Sequence, residues 1–300
     1  MNVSVVIPSY NAQENLVATL NALAAQLFDG ELEVIVTDCS DTNAVEELCE
    51  RYDIAKYHHE EERFNPGKGR NIGANIAQGE LLVFVDADVV LDKHAIAEAW
   101  KFYQQGNRIF GGALELNEKT VKPTIASYIE HYYFNSESQM HRPVCERPNL
   151  SSALMIFQRS LFLEVGGFKD IPRMQDTELT ERLRKSGHTL SFCPAVVGLQ
   201  IQDSPLAKVF RKIFIVGKNM YFIRYQHASI AKKAALFLLL PLIASVKILR
   251  IVARHLIYND TRRRVIAFVI SPLLFAAGMF WMCGLYKSMI FGGEISRRRD

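Results

Sequence analysis

Asp86 and Asp88 stand one residue apart at the end of the apolar run Leu81-Leu82-Val83-Phe84-Val85. Carboxylates are hard oxygen ligands, and Mg²⁺ or Mn²⁺ usually takes one or two of them together with substrate phosphates. An ordinary polar turn can end a strand with the same pair, so the neighbouring residues have to decide. Pro8-Ser9-Tyr10-Asn11 follows the apolar run Val3 to Ile7, and Asp38-Cys39-Ser40-Asp41 follows Glu33 to Thr37. Gly67-Lys68-Gly69-Arg70 reads as a glycine-rich turn with flexible backbone and cations suited to a pyrophosphate at a helix start. It lacks the spacing of a Walker loop, and a solvated turn has the same composition. Asp176 lies in Met174-Gln175-Asp176-Thr177-Glu178-Leu179, at or near a helix N-terminus. An acid there caps the helix and offsets its dipole by about 0.3–1 kcal/mol. The same position would also hold a general base rigidly at a rim, and spacing alone does not choose between the two.

The elements that must position these residues alternate. Strands are predicted over 3–7, 33–37, near 54–58, over 81–85 and over 108–116. Helices are predicted over 13–27, 43–51, from the glycine-rich turn through Ala77, over 92–105, over 121–140 and over 174–183. Such a βαβα order implies a mostly parallel sheet covered by helices on both faces. Ligands of open sheets bind beyond the carboxyl ends of the strands, which is where the three polar loops fall. Tyr128, Tyr132, Tyr133 and Phe134 are expected to pack in the core, and the lone His131 and His141 to be structural.

Apolar residues make up 49% and charged residues 22% of the 300, which excludes disorder. A net charge of +3 is too small to imply a nucleic-acid partner. The five cysteines are scattered without a Cys-x-x-Cys pair, arguing for a reducing cytosolic face over a disulfide framework or zinc site. Met1 to Ile7 has neither a basic leader nor a long apolar core, so the first domain is expected to stay in the cytoplasm.

The C-terminal third differs. Residues 265 to 286 run without a charge, more than the roughly 20 residues that cross a bilayer core. Ala234 to Val246 is apolar but short, and Lys247, Arg250 and Arg254 follow on one helical face. Ala207 to Tyr225 mixes apolar and basic residues as a helix in the headgroup layer would. Two simple crossings would place Arg262, Arg263 and Arg264 outside, against the positive-inside tendency, so one or two crossings both stay open. The expected organisation is a catalytic domain over 1–205, an amphipathic helix and linker over 206–233, membrane-embedded helices over 234–291 and a basic tail over 292–300.

Taken in order, these stretches resemble the family 2 glycosyltransferases of the GT-A fold, over about residues 1 to 205. Val3 to Asn11 resembles the family's opening Val-Ser-Val-Val-Ile-Pro-x-Tyr-Asn, and Val34 to Asp41 its base-gripping acidic turn, with Thr37 where an acid is more usual. Arg70-Asn71-Ile72-Gly73 with Ala77-Gln78-Gly79 is similar to the helix that precedes the metal strand. Gly166-Gly167-Phe168 and Gln175-Asp176 resemble Gly-Gly-Phe…Glu-Asp, with Gln175 replacing Glu.

The resemblance implies an α/β GT-A fold and an inverting enzyme that needs Mn²⁺ or Mg²⁺. It would move one sugar from a nucleotide-diphosphate sugar, with UDP favoured, to a lipid-linked or cell-surface glycan. It assigns Asp176 as catalytic base and Asp88 with Asp86 as metal ligands. Pro8, Tyr10, Asn11, Asp38, Arg70 and Asp86 become the donor-binding set. No Gln-x-x-Arg-Trp follows Asp176, so addition of a single sugar is implied over polymerisation. Many relatives place a His near Gln200 or Gln202, and here that ligand is unassigned. The implied location is the cell membrane with the catalytic domain on its cytoplasmic side. A polyprenyl-phosphate acceptor and an inactive nucleotide-sugar-binding scaffold are the alternatives.

Overall fold

A computed structural model describes residues 1–295, so Arg297 to Arg299 of the expected basic tail lie outside the described residues. The chain runs β1 (Val3–Ser9), α1 (Gln13–Ala24), β2 (Leu32–Asp38), α2 (Ala44–Cys49), β3 (Ala55–His59), α3 (Pro66–Ile76), β4 (Leu81–Val85) and β5 (Val89–Leu91). It continues through α4 (Ala95–Gln104), β6 (Ile109–Leu116), α5 (Ile125–Phe134), β7 (Cys145–Glu146), β8 (Leu154–Gln158), α6 (Arg159–Glu164), α7 (Gln175–Lys185) and β9 (Ser191–Gln200). Four helices end it: α8 (Leu206–Arg224), α9 (Ile230–Tyr258), α10 (Thr261–Val269) and α11 (Ser271–Phe291).

The chain divides into two units. The first spans 1–117, 142–171 and 175–201 and holds a nine-stranded sheet in the order β3-β2-β1-β4-β8-β6-β9-β5, with β7 paired to β9. The run from β3 to β4 is parallel, β8 joins it antiparallel, and β6 and β9 are again parallel to each other. Every residue of β4 is buried, which explains an apolar run without alternation. One apolar layer lies under α1, α2 and α4, and a second, around Phe84, Phe157, Phe162 and Phe168, lies under α3, α6 and α7.

The glycine-rich stretch is not a turn. Asn65 caps α3, its side chain accepting from the Lys68 N–H at 3.0 Å, and Pro66 occupies the first helical turn. A Cβ on Gly73 would collide with Val6, so the glycines let α3 lie flush on β1 and β2. That contact offsets the roughly 1 kcal/mol each glycine costs a helix. Beside it, Glu33 is buried and accepts from Ser4 Oγ at 2.5 Å, Lys56 Nζ at 2.6 Å and the Gln78 N–H at 2.7 Å. Burial would raise its pKa, but the bonds from Lys56 and Ser4 outweigh burial and hold it below the usual carboxylate range.

The second unit comprises 118–141, 172–174 and the chain from Gln202. Tyr128, Tyr132 and Tyr133 of α5 are buried as expected, while Phe134 is exposed. His131 is buried beside Asn135, and His141 is exposed. The predicted crossing over 265–286 is not one helix. Pro272 has no N–H and clashes with a preceding turn, so α10 stops at Val269 and α11 restarts at Ser271. The short apolar segment, by contrast, belongs to α9, a continuous helix through Lys247, Arg250 and Arg254. Both α9 and α11 are long and apolar enough to cross a membrane.

Phe210 meets Phe280, and Ser288 Oγ donates to the Lys218 carbonyl at 2.9 Å, so α8 and α11 run in the same direction. The contacts of Ile248 with Gly278 and of Phe237 with Tyr286 show α9 antiparallel to α11. At the α8 seam a Cβ on Gly217 would overlap the Trp281 carbonyl, and one on Gly284 the Phe214 carbonyl. Backbone cannot yield as a flexible side chain would. Gly217→Ala is therefore expected to cost about 1–3 kcal/mol in thermal unfolding, and the exposed Cys283→Ala close to nothing.

Candidate active site

The Asp-x-Asp residues form a tight turn between β4 and β5. Its backbone is fixed at four points: Asp86 N–H donates to the Ala153 carbonyl at 3.2 Å, Val89 N–H to Asp86 at 3.0 Å, Thr19 Oγ1 to Ala87 at 2.9 Å and Ile201 N–H to Asp88 at 2.9 Å. Both carboxylates are half-buried on this rigid turn. The three-residue β5, pairing antiparallel with the end of β9, was not visible as a periodic run.

Arg70 reaches the turn from α3. It is 2% exposed, ion-paired with Asp86 Oδ1, and its guanidinium lies 5.5 Å from the Phe168 ring centroid. Asn71, next in sequence, donates to the Phe168 carbonyl at 2.7 Å and accepts from the Phe168 N–H at 2.9 Å. Gly167 has φ +59°, a left-handed conformation that suits glycine, and a Cβ there would strike Asn71. Gln175 Nε2 donates to Asn65 Oδ1 at 3.1 Å and to the Ile171 carbonyl at 2.8 Å. Both partners accept, so an amide serves here where a carboxylate would not.

These ties set the start of α7. Asp176 Oδ1 accepts from the Thr177 N–H at 2.7 Å, and Thr180 Oγ1 donates to the Asp176 carbonyl at 2.7 Å. Loss of water around Asp176 pushes its carboxyl above the usual aspartate pKa. The Thr177 N–H, the Arg70 charge and the Ser152 N–H oppose that shift, and the Asp86 charge adds to it. Asp86, Arg70 and Asp176 are thus brought into one electrostatic neighbourhood. An acid with a raised pKa, poised at a helix start, can accept a proton near neutral pH.

The ends of β1 and β2 build the adjoining surface. Asp38 is fully buried, accepting from Ser40 Oγ at 2.7 Å, the Ser40 N–H at 3.1 Å and the Tyr57 hydroxyl at 3.2 Å. Asn11, with φ 49°, donates its N–H to Ser40 Oγ at 2.7 Å. Tyr10 donates to Asp41 at 3.4 Å, and the Arg63 guanidinium lies 4.0 Å from its ring centroid. Pro8 pairs with Thr37 in the β1–β2 register. The sequence singles out Pro8, Tyr10, Asn11 and Asp38 but not Tyr57 or Arg63, and it names Asn71 and Phe168 in separate motifs without showing the contact that joins them.

A strand-end carboxylate pair, an arginine and an acid at a helix start lie at the carboxyl edge of an open α/β sheet. The family model "Glycosyl transferase family 2" matches residues 4–166. The chain belongs to glycosyltransferase family 2 and is a glycosyltransferase. It is 27% identical over 228 residues to the glycosyltransferase AglE of Haloferax volcanii, covering 72% of each chain. It is 33% identical over 110 residues to the poly(ribitol-phosphate) beta-N-acetylglucosaminyltransferase TarS of Staphylococcus aureus, a match of 35% of this chain and 19% of TarS. Among solved structures, the mannosyltransferase PcManGT of Pyrobaculum calidifontis, in complex with GDP-Man and Mn²⁺, superposes with a TM-score of 0.64 at 18% identity, covering 97% of this chain and 88% of that one. S. aureus TarS 1-349 in complex with UDP-GlcNAc superposes at 0.57 with 19% identity, covering 96% and 90%. At those identities the superpositions bear on the GT-A fold alone.

Proposed function

We propose that the chain is an inverting glycosyltransferase. It moves one sugar from a nucleotide-diphosphate sugar, of UDP type, to a hydroxyl of a lipid-linked or cell-surface glycan. The observation that carries this reading is the convergence of Asp86, Arg70 and Asp176, whose charges act on one another at the sheet edge. Asp176 takes the proton of the acceptor hydroxyl as that oxygen bonds to the anomeric carbon. The bond to the diphosphate breaks on the opposite face, and the leaving group keeps the electron pair. Arg70 offsets the charge gathering there. Pro8, Tyr10, Asn11 and Asp38 hold the nucleoside, with Asp38 fixing Ser40 and Tyr57 in place.

Asp88 and Asp86 suit a divalent cation by donor chemistry. Among the described residues no group of three His, Cys, Asp or Glu side chains is placed to hold a metal ion, so donor phosphates and water would complete the shell. A bound Mn²⁺ or Mg²⁺ would supply electrostatic neutralisation of the diphosphate. Residues 1–205 form the catalytic domain, 206–233 the amphipathic helix and linker, and 234–291 the membrane-embedded part. The catalytic domain lies on the cytoplasmic side.

A thermal-shift panel of nucleotide sugars with and without Mn²⁺ tests the reading. A matching ligand at 100 times its Kd adds about 2.7 kcal/mol, a rise of roughly 5–10 °C. The rise should depend on Mn²⁺ and fall in Asp88→Asn. If no nucleotide raises Tm even with metal, the assignment fails.

A further inference from the structure

Ser152 stands at the apex of a tight turn that leads into β8. The Leu154 N–H donates to the Ser151 carbonyl at 3.3 Å and the Ala153 N–H to Ser151 Oγ at 3.4 Å, so the backbone and the side chain of Ser151 both close the turn. The turn is tied on two sides to the residues of the site. Ala153 accepts from the Asp86 N–H at 3.2 Å, and Asn149 accepts at 3.4 Å from Thr180 Oγ1, which also donates to the Asp176 carbonyl. The Ser152 N–H itself makes a backbone hydrogen bond to the Asp176 carboxylate. Its hydroxyl takes no part in these ties: Ser152 is half-buried, and its Oγ makes no hydrogen bond among the described residues. Through the N–Cα–Cβ–Oγ bonds that hydroxyl lies within about 7 Å of the Asp176 carboxylate.

We propose that Ser152 is a specificity-determining residue for the acceptor, binding the hydroxyl next to the one that Asp176 deprotonates. The proposal rests on the transferase function proposed above and deepens its acceptor side. A hydroxyl can both donate and accept, so Ser152 Oγ meets another hydroxyl in either direction. Adjacent hydroxyls of a sugar or polyol sit about one hydrogen-bond length apart, and a pair bonded to Asp176 at one end and to Ser152 at the other bridges the gap between the two side chains. A displacement with inversion puts the incoming oxygen and the leaving diphosphate on opposite faces of the anomeric carbon. Arg70 serves the diphosphate and Asp176 the incoming oxygen, so a hydroxyl carried by a turn bonded to Asp176 falls on the acceptor's side. A lone alcohol or a phosphate oxygen would leave Ser152 Oγ without this partner. The preferred acceptor is a vicinal diol.

The test uses the full chain with Mn²⁺ and the nucleotide sugar that raises its Tm most, offered 1,2-propanediol or 1,3-propanediol at equal concentration. The two diols are isomers, and only the first carries its hydroxyls on adjacent carbons. A diol oxygen bonds to the anomeric carbon and its proton goes to Asp176, while the bond to the diphosphate breaks with the electron pair on the leaving group. Mass spectrometry reads the ratio of glycosylated diol to free sugar released by water. The preference for 1,2-propanediol, taken as the quotient of the two ratios, should be roughly fivefold larger in the wild type than in Ser152→Ala, the effect of one neutral hydrogen bond. Each ratio is internal to its sample, so a variant that folds poorly or turns over slowly still reports it. Ser151→Ala loses a contact of the turn but not the Ser152 hydroxyl, and should keep the wild-type preference. An equal quotient in wild type and Ser152→Ala, a preference lost to the same extent in Ser151→Ala, or no transfer to either diol would each overturn the proposal. So would an altered choice among nucleotide sugars in Ser152→Ala with the quotient unmoved, which assigns Ser152 to the donor. Sugar release by water without a diol preference removes the role of Ser152 alone. A chain that neither binds nor cleaves any nucleotide sugar removes the transferase reading and the proposal with it.

Discussion

Asp176→Asn is expected to lower sugar transfer by about 10²–10⁴-fold and at the same time to raise Tm at neutral pH. The first effect is the loss of a general base. The second follows from the raised pKa of Asp176 in the folded chain. A carboxyl that holds its proton more tightly when folded stabilises the fold at low pH. That contribution is lost as pH rises from the unfolded value near 3.8 through the folded value. At neutral pH the ionised Asp176 is therefore a destabilising group, and asparagine removes the charge while keeping the oxygen that accepts from Thr177. The wild-type rate should have an acidic limb above 3.8 that disappears in the variant's residual activity. A merely capping Asp176 predicts the reverse: little loss of rate and a lower Tm.

The second large effect is expected at Arg70. Arg70→Met removes the partner of Asp86, a carboxylate 34% exposed, together with the guanidinium packed on Phe168. Because Asp86 keeps some access to water, the cost should fall near 1–3 kcal/mol, below that of breaking a fully buried pair. The diagnostic signature is kinetic. The Arg70 charge holds the Asp176 pKa down, so its removal should move the acidic limb of the rate profile to higher pH. Arg70→Lys keeps the charge but not the planar fork, and should lower the rate with a smaller displacement of the limb. A limb that stays fixed in Arg70→Met would disconnect Arg70 from the base.

What was legible in the sequence is what depends on local chemistry. β1, β2 and β4 announced themselves because strands buried on both faces need unbroken apolar residues, and their polar ends marked the rim. Asp86, Asp88 and Asp176 were visible as carboxylates at element ends, and only the family resemblance attached roles to them. Lys68 and Gly69 were misleading for the same reason: glycine next to proline and lysine has the composition of a turn. Only the flat contact of α3 with β1 and β2 makes it a helix. The clamp of Asn71 on Phe168 joins residues 97 apart, and no local pattern carries it. β5 is three residues long, too short for any period to register.

The shared direction of α8 and α11 has a topological consequence. With α9 running the other way, the amino ends of α8 and α11 lie at one end of this bundle, together with Arg262, Arg263 and Arg264, which precede α11 on α10. The chain enters the bundle at that same end, at Leu206. Counted from the entry point, α8 leads away, α9 returns and α11 leads away again. A bilayer crossed by α9 and α11 would thus find the three arginines on the side where the chain came in.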